Sequence, residues 1–401
     1  MLPYAAGGGK PNDSPHETRP ELDSTVSDRL RTLRVLIAHD WIISWAGSER
    51  CVEQMFQLFP QADLVVGLLT PSLRTYNEVT RRATETWLSR VPFARRHHRW
   101  FLPLEALAFA SLDTSAYDLV VSSSHAFSKM VRVDAPARHI CYCHSPPRYL
   151  WDLHQVYLRR SGMLKRLGLL ALGGPLRWAD HRAGMRVDRF VANSHFVRER
   201  IRRNYGRDAH VLYPPVARKP VQGGRCARED FVLSLGRLVE YKRIDLAIAA
   251  ANRLGVRLVV AGDGPERRAL EKLAGPTVEI VGSVSEPQAG RLLSTCAAFV
   301  FCGEEDFGIA PIEANAHGAP VVAYRAGGLA ETMREGVTAE FFEEQTPEAA
   351  AQALRRALNR GWKEPLLIEN AQRFAPAAFR AGLAEVTNSV LDQAPGVPGS
   401  L

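Results

Sequence analysis

Two successive rounds of alternating strand and helix signals, divided by one proline-rich break, constrain this chain more than any other feature. In the first round, short apolar runs at 33–38, 62–66, 117–122, 138–143 and 189–192 alternate with segments of helical periodicity, beginning with 51–59. The break is Tyr213-Pro-Pro215 and the run of proline, glycine and basic residues that follows it to Arg228. In the second round, runs at 231–235, 257–261, 278–281, 298–302 and 321–323 alternate with helices over 243–254, from Glu266 and onward. Strands separated by helices pair in parallel through crossovers, so each round predicts a doubly wound sheet. With 401 residues the chain exceeds one ordinary core. The expected fold class is α/β, with two Rossmann-like doubly wound domains facing across a cleft. The expected boundaries are a disordered tail over 1–30, a first domain over 31–216, a second over 217–375 and a closing segment over 376–401. Pro376 to Leu391 has helical periodicity through Phe379, Leu383, Val386 and Val390.

Composition narrows the class. Hydrophobic residues make up 46% and charged residues 23%, which describes a soluble globular protein. No run approaches the roughly 18–20 apolar residues of a membrane span; Phe101 to Leu112 comes nearest, and Glu105 interrupts it. Residues 1–30 lack the apolar stretch of a secretory leader. Cys141-Tyr-Cys143-His144 reads as buried strand cysteines, because no second pair accompanies it. A cytoplasmic location is the expectation.

The net charge of +8 is uneven. Residues 1–217 carry 30 basic against 20 acidic side chains, and residues 218–401 carry 21 against 23. The excess centres on Arg95 to Phe101 and on Arg159-Arg160 to Arg166, interleaved with Trp100, Phe101, Leu164, Leu167 and Leu169. Such a surface suits an anionic membrane face; a plain solvated face fits as well. No nucleic-acid recognition motif accompanies the charge.

The chemistry concentrates in Glu305-Asp-Phe-Gly-Ile-Ala-Pro-Ile-Glu313. The preceding run, Ala298 to Cys302, reads as a buried strand, and Pro311 to Gly318 reads as a helix with proline in its first turn. Glu305 then falls on the strand-to-helix loop and Glu313 in the first helical turn. A helix N-terminus attracts anions, and carboxylates accept hydroxyl hydrogens. Together they suit a ligand that carries phosphates and sugar hydroxyls, a sugar nucleotide. Gly236-Arg237-Leu238, with Lys242-Arg243 and Asp245, follows the first strand of the second half. Glycine there permits close backbone approach, and Arg237 and Lys242 are positioned to neutralise a diphosphate. Ala326-Gly-Gly-Leu-Ala-Glu331 is a third strand-end loop that offers amides to an anion. Gly262-Asp-Gly-Pro265 reads as a tight turn before a helix capped by Asp263.

These three loops resemble the signature set of retaining GT-B glycosyltransferases, in particular those like glycosyltransferase family 4. The first half resembles the bacterial mannosyltransferase branch of O-antigen and exopolysaccharide assembly. It does so through Gly47-Ser-Glu49, Ser122-Ser-Ser-His125, Tyr142 to Asp152, Ala192-Asn-Ser194, Tyr205-Gly-Arg207 and Val211 to Val216. The resemblance spans about residues 33 to 390. It implies that Arg237 and Lys242 hold the donor diphosphate, that Glu313 receives the ribose hydroxyls, and that Glu305 contacts the sugar near the reacting carbon. Amides of Phe307 and Gly308, followed by Ile309, support Glu305. The resemblance also implies that Gly47 lets a first-domain loop approach the diphosphate and the acceptor. By the same resemblance His144, or else His125, is expected to contact the donor sugar from the opposite wall, and backbone around Gly236, Gly282 and Val284 to meet the nucleotide. His144, Glu305, Arg237 and Lys242 are thus the expected catalytic set.

The implied reaction is transfer of a sugar with retention, mannose from GDP-mannose, onto a polyprenyl-diphosphate-linked saccharide at the inner membrane face. No cofactor or metal is expected, since no Asp-X-Asp triplet occurs. The resemblance also implies that the last helix crosses back onto the first domain. A UDP-sugar donor, a nucleotide-sugar epimerase of the same architecture and a non-catalytic sensor remain open as alternatives.

Overall fold

The computed structural model describes residues 24–152, 154, 158, 162–219, 221 and 227–393. The first sheet contains β1 Val35–Ile42, β2 Asp63–Leu69, β3 Ala83–Glu85, β4 Leu119–Ser124, β5 Arg138–Cys143, β6 Arg189–Ala192 and β7 Ala209–Val211. Their spatial order is β3-β2-β1-β4-β5-β6-β7, and every pairing is parallel. The second sheet contains β8 Val232–Leu235, β9 Leu258–Ala261, β10 Val278–Gly282, β11 Ala298–Phe301, β12 Val321–Tyr324 and β13 Ala339–Phe342. It runs β10-β9-β8-β11-β12-β13, again parallel throughout.

Helices cover both faces of each sheet, so strand side chains alternate between two cores. Val35 and Ile37 pack into one cluster with Val52 and Met55, while Leu36 and Ala38 pack into another with Phe109 and Phe127. The strand order reverses between β1 and β4 in the first sheet and between β8 and β11 in the second. Ligands of open α/β sheets bind beyond the carboxyl ends of strands at such reversals. Two switch points, one per domain, therefore define where a site belongs.

Several boundaries differ from the sequence reading. Residues 1–23 of the expected tail lie outside the described residues, but Ser24–Thr32 is helical, and Leu30 is 1% exposed within the first core. β3, β7 and β13 are three- or four-residue edge strands, too short to show as apolar runs. β1 continues past Ala38 through His39 and Asp40, both fully buried. Asp263 does not cap a helix: its carboxylate accepts from the adjacent Gly264 amide at 2.7 Å, and the helix Arg267–Leu273 starts after Glu266. Cys141 and Cys143 are buried free thiols on β5.

The basic stretch also divides. Trp100 is exposed, but Phe101 packs on an apolar cluster, and Arg95 pairs with Glu85 at 2.8 Å. Arg159, Arg160 and the side chains of Leu164 and Leu169 lie outside the described residues.

The final helix, Pro376–Leu391, departs from the second domain and buries Phe379, Leu383 and Val390 in the first domain's core. Phe379 is 1% exposed and meets Tyr142 edge-to-face at 5.3 Å. Burial of this one ring anchors the chain's end across the domain boundary. Phe379→Ala is expected to cost about 3–5 kcal/mol, seen as a lowered urea midpoint. An unchanged midpoint would show that the helix is only loosely docked.

Candidate active site

A cavity of about 940 Å³ lies between the domains, lined from the first by Gly47, His125 and His144 and from the second by Gly236, Arg237 and Lys242. Glu305, Phe307, Gly308, Ile309, Glu313 and Val284 line it too. Of the residues singled out to meet the donor, Gly282 is not in this lining. It ends β10 with φ +77°, and its carbonyl accepts the Gly262 amide at 2.7 Å. Gly262, at φ +139°, is pressed so closely to the Gly236 carbonyl that a side chain there would overlap it. These glycines support the Gly236 loop from behind.

On the second-domain wall, the loop after β11 brings Glu305 within 3.2 Å of Lys242. Burial would depress the Lys242 ammonium, but Glu305 outweighs it and its pKa is raised. The amine is charged, as a phosphate partner must be. Gly308, in a left-handed conformation at φ +87°, turns the chain into the helix Ile309–Ala316. That helix starts two residues before Pro311, so Glu313 lies in its second turn rather than its first, and is only 6% exposed. Burial raises the Glu313 carboxyl, with Lys219 opposing the shift from 2.7 Å away. Lys219 comes from the linker between the domains. Arg50 of the first domain pairs with Glu286 of the second at another edge of the same cavity.

The Ala326–Glu331 loop has a different role from the one expected. It lines no part of this cavity. The Gly328 amide donates to the Glu305 carbonyl at 2.9 Å, and Gly327, at φ +59°, abuts that same carbonyl. The loop therefore props up the Glu305 turn. Glu331 reaches the other domain, accepting from the amides of His195 and Phe196 at 2.9 and 3.1 Å. It thus occupies the N-terminus of the helix His195–Tyr205.

On the first-domain wall, Gly47 opens the helix Gly47–Leu58, which is capped by Glu49 accepting from the Ala46 amide at 3.0 Å. A side chain on Gly47 would collide with the tip of Ile309 across the cleft. Asp40, two residues before the end of β1, is fully buried and accepts four amides from the turn after β4. His125 and Ala126 donate to one oxygen at 2.6 and 2.8 Å, Phe127 and Ser128 to the other at 2.8 and 2.5 Å. Burial would raise this carboxyl; the His125 and His39 rings and the donated amides outweigh it and lower its pKa. His144 follows β5, and its Nε2 lies 2.8 Å from the Ser123 hydroxyl. Burial and the neighbouring His125 and His39 hold the His144 pKa well below its ordinary value, so it is neutral at pH 7.

Two family models together run along nearly all of this architecture: Glycosyltransferase Family 4 over residues 45–219 and Glycosyl transferases group 1 over residues 218–378. The chain belongs to the GT-B glycosyltransferases. The human alpha-1,3/1,6-mannosyltransferase is 26% identical over 296 residues, 62% of this chain and 67% of that protein. A GDP-mannose-dependent alpha-(1-6)-phosphatidylinositol dimannoside mannosyltransferase of Mycobacterium tuberculosis is 32% identical over 203 residues, 46% of this chain and 52% of that one. The chain thus spans between half and two thirds of the length of these curated relatives. Among solved structures, Anabaena HepE in complex with UDP and glucose superposes with a TM-score of 0.65 at 17% identity, covering 89% of this chain and 100% of that one.

In this glycosyltransferase the domains are also joined beside the cavity by ions that sequence reasoning missed. Asp306, adjacent to Glu305, meets Arg148 and Arg200 of the first domain, each at 2.6 Å. Lys219, Arg50, Glu286, His39 and Asp40 were missed as well. Arg148 and Glu49 stood inside quoted motifs, whereas Lys219 sits in a linker whose composition signals only irregular chain. The glycosyltransferase's dependence on Asp40 has a definite pH signature. With its native pKa lowered, Asp40 contributes stability that is fully present above about pH 4 and is lost as pH falls through the native value. Asp40→Asn should lower stability by about 2–3 kcal/mol at pH 7, with the gap narrowing toward pH 3 in urea titrations. An equal gap at both pH values would show that the carboxylate's charge is not what the amides hold.

Proposed function

We propose that this glycosyltransferase moves mannose from GDP-mannose onto a lipid-linked saccharide at a membrane surface, with retention of configuration. The observation that carries the reading is the cavity's second-domain wall. Glu305 and Glu313 lie eight residues apart in sequence, each paired with a lysine, around the start of one helix. Hydroxyls of a sugar and a ribose suit the carboxylates, and a diphosphate between them suits the lysines and Arg237. As the glycosidic bond breaks, negative charge grows on the leaving diphosphate, and Lys242 and Arg237 stabilise it without any reorganisation of solvent. His144, neutral, faces the sugar from the first domain. The acceptor hydroxyl attacks from the face the phosphate leaves, and its proton passes to that phosphate.

The guanine base is supported by the GDP-mannose dependence of the mycobacterial mannosyltransferases that the chain resembles, and by Glu286. This carboxylate lines the cavity two residues beyond Val284. Guanine offers N1–H and N2–H side by side to one carboxylate, while uracil offers a single N–H flanked by two carbonyls. A carboxylate therefore favours guanine. Donor screening with purified enzyme and a membrane lipid extract should give lipid-linked mannose from GDP-mannose and little transfer from UDP-glucose. Glu286→Gln should cut the preference for GDP over UDP, read by calorimetry, by about tenfold. Tighter binding of UDP than of GDP by the unaltered protein would reject the guanine assignment.

The membrane part rests on the helix Met163–Arg186. It exposes Leu167, Leu170, Trp178 and Met185, alongside Arg166 and Arg182. No described helix is long and apolar enough to cross a membrane. An apolar stripe flanked by arginines fits a surface resting on anionic lipid. Pelleting with liposomes should require anionic lipid, weaken as salt rises, and fall when Leu170 and Trp178 are both replaced by Glu. Equal binding to neutral vesicles would remove the electrostatic contribution.

A further inference from the structure

A buried chain of polar groups runs behind His144. Glu49 Oε1 lies 3.7 Å from His39 Nε2, an ion-pair distance. His39 Nδ1 lies 3.1 Å from both the backbone carbonyl and the hydroxyl of Ser123. The Ser123 hydroxyl lies 2.8 Å from His144 Nε2. His39 and Ser123 are fully buried, and Glu49 is 4% exposed. His39 and Ser123 sit opposite one another in the β1–β4 pairing, so the contact is built into the sheet's register.

Hydrogen-bond chemistry fixes the protons. A carbonyl oxygen only accepts, so His39 Nδ1 must carry a hydrogen and donate it toward Ser123. The Ser123 hydroxyl cannot donate back to a nitrogen that already bears a hydrogen. Among the described residues the acceptor left within its reach is His144 Nε2, and donating there satisfies the hydroxyl hydrogen only when that nitrogen carries none. In that arrangement the proton of neutral His144 resides on Nδ1.

We propose that Glu49, His39 and Ser123 are positioning residues that lock His144 as its Nδ1–H tautomer, making it a fixed hydrogen-bond donor to the ligand rather than a base. The groups facing this chain agree. Glu49 and Asp40 outweigh the effect of burial at His39 and raise its pKa, which preserves its donor role. His125, with its ring centre 6.2 Å from that of His144, adds a second imidazole that disfavours positive charge there. A neutral N–H can stabilise a sugar hydroxyl oxygen without drawing a proton from the acceptor. That last role rests on the glycosyltransferase reading; the tautomer does not.

The test separates the two. Nitrogen-15 spectra of histidine-labelled protein, with the His144 signals assigned by His144→Gln, report which ring nitrogen bears the proton, with no substrate present. The wild type should show Nδ1–H at His144 from pH 6 to 8, and Ser123→Ala should shift the signals toward the Nε2–H form. In transfer assays Ser123→Ala should lower kcat by roughly three- to tenfold with little change in donor KM. His39→Asn, whose amide N–H can replace Nδ1–H, should retain more activity than His39→Leu. A wild-type Nε2–H tautomer, or spectra unmoved by Ser123→Ala, would overturn the proposal even if transfer is confirmed. The predicted tautomers without any transfer would uphold the lock and reject only the reaction.

Discussion

Asp40 ties the first domain's two central strands together where the sheet reverses direction. A carboxylate with no exposure to water would be costly, and this one is tolerable because four backbone amides and a histidine meet it. The same four bonds satisfy amides of a turn that no helix or sheet would otherwise satisfy. Two desolvation costs cancel, and the turn acquires one geometry. That geometry places His125 at the cavity wall. The adjoining β1–β4 pairing sets His39 opposite Ser123, and through Ser123 reaches His144. The first-domain wall is thus an extension of a backbone-satisfaction problem solved at one residue.

The opposite wall is governed by charge balance. Glu305 and Glu313 would repel a diphosphate and one another, and each is matched by a lysine from a different segment. Lys242 belongs to the loop after β8, whereas Lys219 belongs to the linker. A charged ligand entering here exchanges one set of ionic partners for another, rather than meeting an unpaired buried charge. The glycines set how closely backbone meets backbone. Gly262 is pressed against the Gly236 carbonyl and Gly327 against the Glu305 carbonyl. Each supports a site loop that it does not itself complete with a side chain.

Much of this could be read from sequence because period and composition report it directly. Apolar strands buried on both faces, separated by helices, announce parallel sheets, and the spacing from Glu305 to Glu313 places both near one helix start. What sequence concealed depends on partners distant in the chain. Asp40 and His39 interrupt an apolar run, so they look like its end, although β1 continues through them. Gly327-Gly328 has the composition of an anion-binding loop, yet its amide is used by the Glu305 carbonyl 23 residues earlier in the chain. Lys219 follows Pro214-Pro215 in a segment without periodicity. Its importance appears only when the fold brings it to Glu313.

The contacts between domains fall into two chemical kinds, with different consequences for motion. Beside the cavity they are polar: Asp306 with Arg148 and Arg200, Glu331 with the amides of His195 and Phe196, and Arg50 with Glu286. Arg50 and Glu286 stand near water and exchange protein partners for solvent at small net cost. Asp306 and Arg200 are mostly buried while the cleft is closed, but opening returns both to water, and the hydration they regain offsets the attraction they lose. Behind the cavity the link is apolar: Phe379, Leu383 and Val390 buried in the first core. Apolar surface has no comparable exchange with water, and separation there would expose it at about 25 cal/mol per Å². Opening of the cleft should therefore spend the ionic contacts and conserve the helix, which makes Pro376–Leu391 the fixed end of any hinge and the Asp306 cluster its moving one.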